Sequence, residues 1–229
     1  MKKLVILTGA GISAESGIKT FRDSVDGLWE NNKIEEIATY EGWIKNKQLV
    51  LDFYNSRHRE LKNAQPNDAH YILAELEKYF DVQIVTQNVD CLHERGGSTN
   101  VLHLHGELSK MRSNKTNKVY DWPYDTDLQI DSVAEDGTEL RPHIVWFGEN
   151  VPNMHKSYLI AEKADIFVII GTSLEVYPAS GLIDYVKKDV PIYLVNPEDV
   201  YDGFRKITHI KNVATKGVKE LKTKLLELS

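Results

Sequence analysis

The stretch that most constrains the fold is Thr8 to Asp23, TGAGISAESGIKTFRD, which follows the apolar run Leu4-Val5-Ile6-Leu7 without a linker. That run has the length and β-branched content of a strand, so the glycines begin where a parallel strand would end. Gly9 and Gly11 let the backbone approach a ligand without Cβ clashes, and Ser13 to Ser16 are placed to open a helix whose free N–H groups face the same point. Strand, glycine turn and helix start together suit a pyrophosphate. The pattern Gly9-x-Gly11-x-x-Ala14 is equally compatible with a tight turn that binds nothing. It also departs from an ordinary dehydrogenase, which needs a second strand ending in an acidic residue about 20 residues further on. Gly27-Leu28-Trp29-Glu30-Asn31 reads as loop there.

Further strand-like runs are expected at Val82 to Val85, Val101 to Leu104, Ile144 to Phe147, Ile166 to Ile170 and Ile192 to Val195. Helical spacing is expected over Ile34 to Lys47, Gln48 to Asn63, Met154 to Lys163, Ala179 to Lys188 and Val218 to Leu228, and Pro66 suits the first turn of a helix with Ala69, Ile72, Leu73 and Leu76 as its apolar stripe. Strands that are apolar throughout, alternating with helices, predict an α/β fold: a Rossmann-like, mostly parallel sheet with helices on both faces. Glu107 to Arg141 breaks the alternation. It is polar, carries a hairpin-like Asp136-Gly137 and scattered Tyr120, Trp122 and Tyr124, and reads as a small inserted module.

Composition narrows the partners. The 229 residues are 41% hydrophobic and 27% charged with a net charge of −6, which argues against general affinity for nucleic acid or an anionic membrane while allowing a basic protein substrate. No apolar run approaches the ~18 residues of a membrane span, and Met1-Lys2-Lys3 leads straight into a strand, so a cytoplasmic location is expected. One cysteine, Cys91, excludes an intrachain disulfide framework.

Several polar residues fall where strands end. Gln87, Asn88 and Asp90 follow the run at Val82 to Val85, and so sit at the carboxyl edge where open α/β sheets bind ligands; polar residues that merely cap a strand would look the same. Gly171-Thr172-Ser173 and Asn196 follow two further runs, where simple turn chemistry fits as well as a cofactor. His103 and His105, two apart, face one side of a strand, as packed histidines also do. Tyr54 and Arg57, three apart, emerge on one face of a helix, which Arg59 and Lys62 could make an ordinary basic face.

GIKTFRD at Gly17 to Asp23, TQNVD at Thr86 to Asp90 and HLHGEL at His103 to Leu108 occur in the order and at the spacing of the sirtuin family, which the chain closely resembles from about Lys2 to about Leu228. RPHIVWFGE, GTSLEVYPA and LVN also resemble their sirtuin counterparts. The resemblance implies an NAD-dependent protein-lysine deacylase acting on acyl-lysine proteins and yielding nicotinamide and O-acyl-ADP-ribose. It implies an NAD-binding domain from residues 1–33, 64–106 and 142–229, a helical insertion at 34–63 and a small zinc-module insertion at 107–141.

Residue by residue, it implies that His105 is the general base acting on a ribose hydroxyl, with no role for His103. Asn88 would contact the nicotinamide ribose and order water, Asp90 would accept from the carboxamide, and Gln87 would support the ribose. The turn residues Gly9, Ala10, Gly11 and Glu15, with Thr20, would hold the cofactor, Phe21 would shield its reactive face and Arg22 would order it. Gly171, Thr172, Ser173 and Asn196 would take the phosphates and adenosine, with Ala214 near the adenine. Val145, Phe147 and Gly148 would pair with the substrate peptide as an added strand.

Tyr54 and Arg57 match the Tyr-x-x-Arg signature of the bacterial class III sirtuins that remove succinyl and similar acidic groups, and Ala14 suits their wide pocket. Sirtuins usually carry two cysteine pairs in the module; Ser113 and Thr116 stand where the first pair would fall, and Glu135 to Thr138 offers no thiol, so no metal is expected. The module is expected instead to be held by Trp122, Tyr124, Leu128 and Ile130. ADP-ribosyl transfer, NAD hydrolysis and a catalytically silent NAD sensor are the alternatives, and an intact His105 favours deacylation.

Overall fold

The apolar runs become strands because each is long enough to be covered on both sides. In the computed structural model, which describes residues 1–19, 33–201, 203 and 205–228, the strands are β1 (Lys3–Thr8), β2 (Asp81–Thr86), β3 (Val101–His103), β4 (Gly106–Ser113), β5 (Val119–Asp121), β6 (Leu140–Ile144), β7 (Ile166–Ile170), β8 (Ile192–Val195) and β9 (Thr208–Ile210). Thr20, Phe21 and Arg22 lie outside the described residues.

Six strands form one parallel sheet in the order β3-β2-β1-β7-β8-β9. Alternate residues feed opposite cores. Leu4, Ile6, Ile84 and Val168 pack on one face, and Val5, Leu7, Phe167 and Ile169 on the other. The first face is covered by α4 (Asp68–Glu75) and α7 (Ala214–Leu226), through Ala69, Leu73, Val218, Leu221 and Leu225, while the one-turn α5 (Leu92–Arg95) lies between β2 and β3 in the chain. The second is covered by α6 (Met154–Ala161) and a 3-10 helix at Ala179–Tyr185. No helix among the described residues is long and apolar enough to cross a membrane.

The structure corrects several local expectations. Ser13 to Ser16 do not open an α-helix: two short 3-10 turns, Ala10–Ile12 and Ala14–Ser16, end at Gly17 in the left-handed region at φ 83°. Pro66 precedes the helix it was expected to begin, because Asn67 takes the N-cap position and its side chain forms a capping box with His70. Ile34 to Lys47 breaks into α1 (Ile34–Ile37) and α2 (Tyr40–Lys45), since Thr39 caps α2 by accepting from the Gly42 amide and bridges to Phe147. Ala179 to Lys188 winds as a 3-10 helix ending at Tyr185. Ile144 to Phe147 is not a strand of the main sheet; β6 ends at Ile144 and pairs in a different sheet.

That second sheet, β5-β4-β6, is antiparallel and packs on α3 (Lys47–Asn63). Two α3 side chains fasten the loop after β5. Asn55 donates to the Leu128 carbonyl and accepts from the Leu128 amide, both at 2.9 Å. His58 lies between Trp122 and Tyr124, stacked at centroid distances of 4.0 and 4.8 Å. Trp122 and Leu128 are buried as expected and Tyr124 partly so, whereas Ile130 is 53% exposed and holds nothing together. At the usual cysteine positions the Ser113 hydroxyl pairs with that of Thr138 at 2.7 Å and accepts from the amides of Lys115 and Thr116.

Among the described residues no three His, Cys, Asp or Glu side chains converge to hold a metal. Here the His58 stack, the Asn55 clamp and the burial of Trp122 and Leu128 fasten the module to α3. Strong chelator is expected to leave the melting temperature and activity unchanged, while Trp122→Ala, a buried large aromatic, is expected to cost about 3–5 kcal/mol. One zinc per chain by elemental analysis would overturn this account of the module.

Candidate active site

The sheet reverses its direction of growth at the β1/β7 pair: the chain builds outward through β2 and β3 on one side, then returns to β7 and builds outward through β8 and β9 on the other. In open parallel sheets, the crevice beyond the carboxyl ends of the strands at such a point is where ligands bind. The turn after β1 and the turn after β7 face each other across it. The Gly9 amide donates to the Ile170 carbonyl at 3.0 Å and the Gly11 amide to that of Gly171 at 2.8 Å. A Cβ on Gly9 would stand 2.7 Å from the Thr172 Cβ, and one on Gly11 2.7 Å from the Gly171 Cα. The two glycines therefore let two turns meet, and the floor of the crevice is bare backbone.

Above that floor the segment after β2 is held rigidly. Gln87 donates from its amide to the Thr8 carbonyl and from its side chain to the Thr172 hydroxyl at 3.1 Å, which joins both sides of the crevice. The Asn88 side chain donates to the Ser13 hydroxyl at 3.2 Å, and Ser13 donates to Asp90 at 2.9 Å. The other Asp90 oxygen accepts from the Leu92 amide at 3.0 Å. Burial raises the Asp90 pKa, with those two donors opposing it. Asn88, Asp90 and Ser13 are all buried. Ser13 was not singled out as a site residue from the sequence, since a serine inside a glycine-rich turn carries no local mark of a partner at Asp90.

His103 and His105 both reach this segment with Nδ1. His105 donates to the Gln87 carbonyl at 3.0 Å and His103 to the Asn88 carbonyl at 3.0 Å. A carbonyl only accepts, so the His105 proton sits on Nδ1 and its Nε2 carries the lone pair. Burial lowers the His105 pKa, partly offset by that bond, so the ring is neutral near pH 7. His103, left without a role by the sequence, also contacts the Glu94 carboxylate at 2.7 Å. Burial opposes charge on His103, but the Glu94 partner outweighs it and raises the pKa, so two chemically different histidines sit two residues apart. Gly106, at φ 85°, is obligatory after His105: a Cβ there would lie 2.0 Å from the His143 carbonyl oxygen.

On the far side of the crevice, Asn196 donates to the Thr172 carbonyl at 3.0 Å, and the Thr172 hydroxyl accepts from the Leu174 amide. Gly171 is left-handed at φ 61°, and Ser173 is half-buried beside it. Glu15 accepts from the amide and hydroxyl of Thr215, at 2.9 and 2.7 Å, and so caps α7 beside Ala214. Ala10 is half-buried on the turn.

The remaining nominated residues lie toward α3. The Val145 amide donates to the His105 carbonyl and the Phe147 amide to the Ala38 carbonyl, both at 2.9 Å, which pins this segment beside the histidine. Phe147 is 47% exposed and Gly148 is left-handed. Trp146, passed over in the sequence between two nominated neighbours, points to the opposite side and is buried. Its indole N–H donates to the Tyr54 hydroxyl at 3.0 Å. Arg57 pairs with Glu60 at 2.6 Å, and its buried Nε has no hydrogen-bond partner among the described residues.

The profile of the Sir2 family matches residues 9–178. An NAD-dependent protein deacylase of Helicobacter pylori (strain ATCC 700392 / 26695) is 51% identical over the full length of both chains. One of Bacteroides thetaiotaomicron is 50% identical over 99% of each. A solved Sir2 homolog–NAD complex is 37% identical, with a TM-score of 0.88 over 99% of this chain and 90% of that one. A structure described as addressing the mechanism and regulation of Sir2 enzymes is 34% identical, with a TM-score of 0.80 over 100% and 94%.

Proposed function

The chain belongs to the Sir2 family, and from that premise we propose that it is an NAD-dependent protein-lysine deacylase whose base is His105 and whose acyl pocket, bounded by Tyr54 and Arg57, accepts acidic acyl groups. The carrying observation is the His105 tautomer: a neutral imidazole, its Nδ1–H committed to Gln87, with Nε2 left to take a proton. A neutral imidazole that is already oriented suits removal of a proton from a sugar hydroxyl.

The donor set of the crevice fits NAD. Hydroxyls and carboxamides that both give and accept hydrogen bonds, from Ser13, Gln87, Asn88, Thr172 and Asn196, line the crevice together with one buried carboxylate, Asp90, which accepts from Ser13. That mixture complements ribose hydroxyls and a carboxamide, and the crowded turns at Gly9, Gly11 and Gly171 wall it with backbone. When bound, NAD supplies the ADP-ribosyl group that accepts the acyl group as nicotinamide departs. Asp90 accepts from the carboxamide, Asn88 holds the ribose, and Gln87 ties that segment to Thr172 across the crevice. Ser173, Asn196 and Ala214 serve the phosphate and adenosine end. The Val145 to Gly148 segment presents its outer edge to the substrate peptide.

Incubating the protein with NAD and acyl-lysine peptides, followed by mass spectrometry, tests the reading. Deacylated peptide together with acyl-ADP-ribose is the expected result. ADP-ribosylated protein or free ADP-ribose without deacylation, or no turnover at all, would overturn it.

A further inference from the structure

The Tyr54 hydroxyl sits at the end of a chain of groups that fixes its direction, and that chain runs through Trp146. Three contacts immobilise Trp146. Its backbone amide donates to Glu149 at 2.9 Å, its ring lies 3.9 Å below the Arg141 guanidinium, and its indole N–H donates to the Tyr54 oxygen at 3.0 Å. Arg141 and Arg112, opposite each other on β6 and β4, are both buried and both pair with Glu149. One carboxylate between two guanidiniums leaves a buried net positive charge, and the Arg141 side of it faces the indole. Trp43 also packs against Trp146, tilted at a ring distance of 5.6 Å. The indole can neither rotate nor withdraw without losing these partners.

We infer that Trp146 is a positioning residue for acyl selectivity: by donating to Tyr54 it aims the Tyr54 O–H at the distal oxygen of an acidic acyl chain and strengthens that donor. The argument is one of hydrogen-bond geometry. A phenol hydrogen prefers the ring plane, where it has two positions, and an N–H arriving at one of them leaves the hydrogen the other. Among the described residues the Tyr54 hydroxyl has Trp146 as donor and no acceptor of its own. Among the described residues the Tyr54 hydrogen is therefore left for an incoming acceptor. An oxygen that accepts a hydrogen bond also donates a stronger one, because the bonds polarise one another in a poorly solvated site. Tyr54 is buried, and burial holds it protonated far above neutral pH, so it meets an acyl carboxylate as a donor at every usable pH.

This rests on the assignment of Tyr54 to the acyl pocket, and the test separates the two. The readout is the ratio of kcat/KM on succinyl-lysine to that on acetyl-lysine peptide, in which any unfolded fraction of a variant cancels. Trp146→Phe keeps an aromatic ring under Arg141 and removes the N–H together with part of the bicycle, a packing loss that acts on both substrates and so cancels in the ratio. It is expected to lower the ratio about 3- to 10-fold, the effect of one neutral hydrogen bond, chiefly through KM for the succinyl peptide. Tyr54→Phe is expected to lower it at least as far, and adding Trp146→Phe to Tyr54→Phe is expected to lower it no further. A ratio unmoved by Trp146→Phe while Tyr54→Phe lowers it would overturn the inference and leave the pocket assignment standing, and so would independent, additive losses. A ratio unmoved by Tyr54→Phe would sink both.

Discussion

His105→Ala is expected to abolish deacylation, lowering kcat by about 10²- to 10⁴-fold, the usual contribution of a general base, while NAD affinity stays within a few-fold. The split follows from geometry. His105 bonds to the Gln87 carbonyl through Nδ1 alone, so removing the ring leaves Gln87 anchored by its amide to Thr8 and by its side chain to Thr172. The cofactor side of the crevice keeps its shape while the base is lost. Single-turnover kinetics with a nucleotide-binding titration checks both halves. A variant with wild-type turnover would remove His105 from the mechanism.

The same assignment sets the pH dependence. Burial holds the His105 pKa below the ordinary histidine value, so its working, neutral form is present above that pKa and disappears as pH falls through it. The acidic limb of the kcat/KM profile is therefore expected below 6.5. A limb above that value would point to another group, and His103, whose Glu94 partner raises its pKa, would be the first to test.

Arg57→Met is expected to lower kcat/KM on succinyl-lysine peptide by at least about 30-fold, and acetyl-lysine turnover far less. Loss of one partner of a desolvated charge pair costs roughly 2–5 kcal/mol, or about 30-fold to a few thousand-fold. Arg57 is poised for such a pair. Among the described residues its charged partner is Glu60, a neighbour at i+3 whose side chain is 56% exposed, and an exposed helix pair of that kind is worth only about 0.3–0.5 kcal/mol. An incoming carboxylate displaces little and gains the buried Nε, which has no partner among the described residues. Paired charge-assisted hydrogen bonds to one guanidinium then discriminate an acidic acyl chain from acetyl. Equal losses on both substrates would show that Arg57 supports the fold and does not read the acyl group.

Much of this site was legible in the chain because its residues sit at the ends of apolar runs. A run such as Ile166 to Ile170 can be buried on both faces only as a parallel strand between helices, and whatever follows it, here Gly171-Thr172-Ser173, must lie at the carboxyl edge. The same logic placed Gln87, Asn88, Asp90 and Asn196 along one edge. Where runs were short or polar it gave less. Thr208–Ile210 becomes an edge strand through pairing with β8 alone, and Ala179 to Tyr185 winds as a 3-10 helix that shares the apolar spacing expected of an α-helix.

The strands β1, β2, β3, β7 and β8, their parallel architecture and the location of the crevice were thus determined by the sequence itself, since hydrophobic periodicity and turn chemistry act between near neighbours. Which atoms meet in the crevice was decided by tertiary packing alone. Ser13 finds Asp90 across 77 residues, and Trp146 finds Tyr54 across 92. Gly9 and Gly11 serve the approach of the β7 turn, where the local pattern suggested the approach of a ligand. Ser113 and Thr138 meet where thiols would have held a metal, and His58 supplies from α3 the stack that the inserted module cannot make by itself. Such pairings depend on the distances between packed elements, which no short stretch of chain specifies, and a one-residue change of register on either element would have sent each side chain elsewhere.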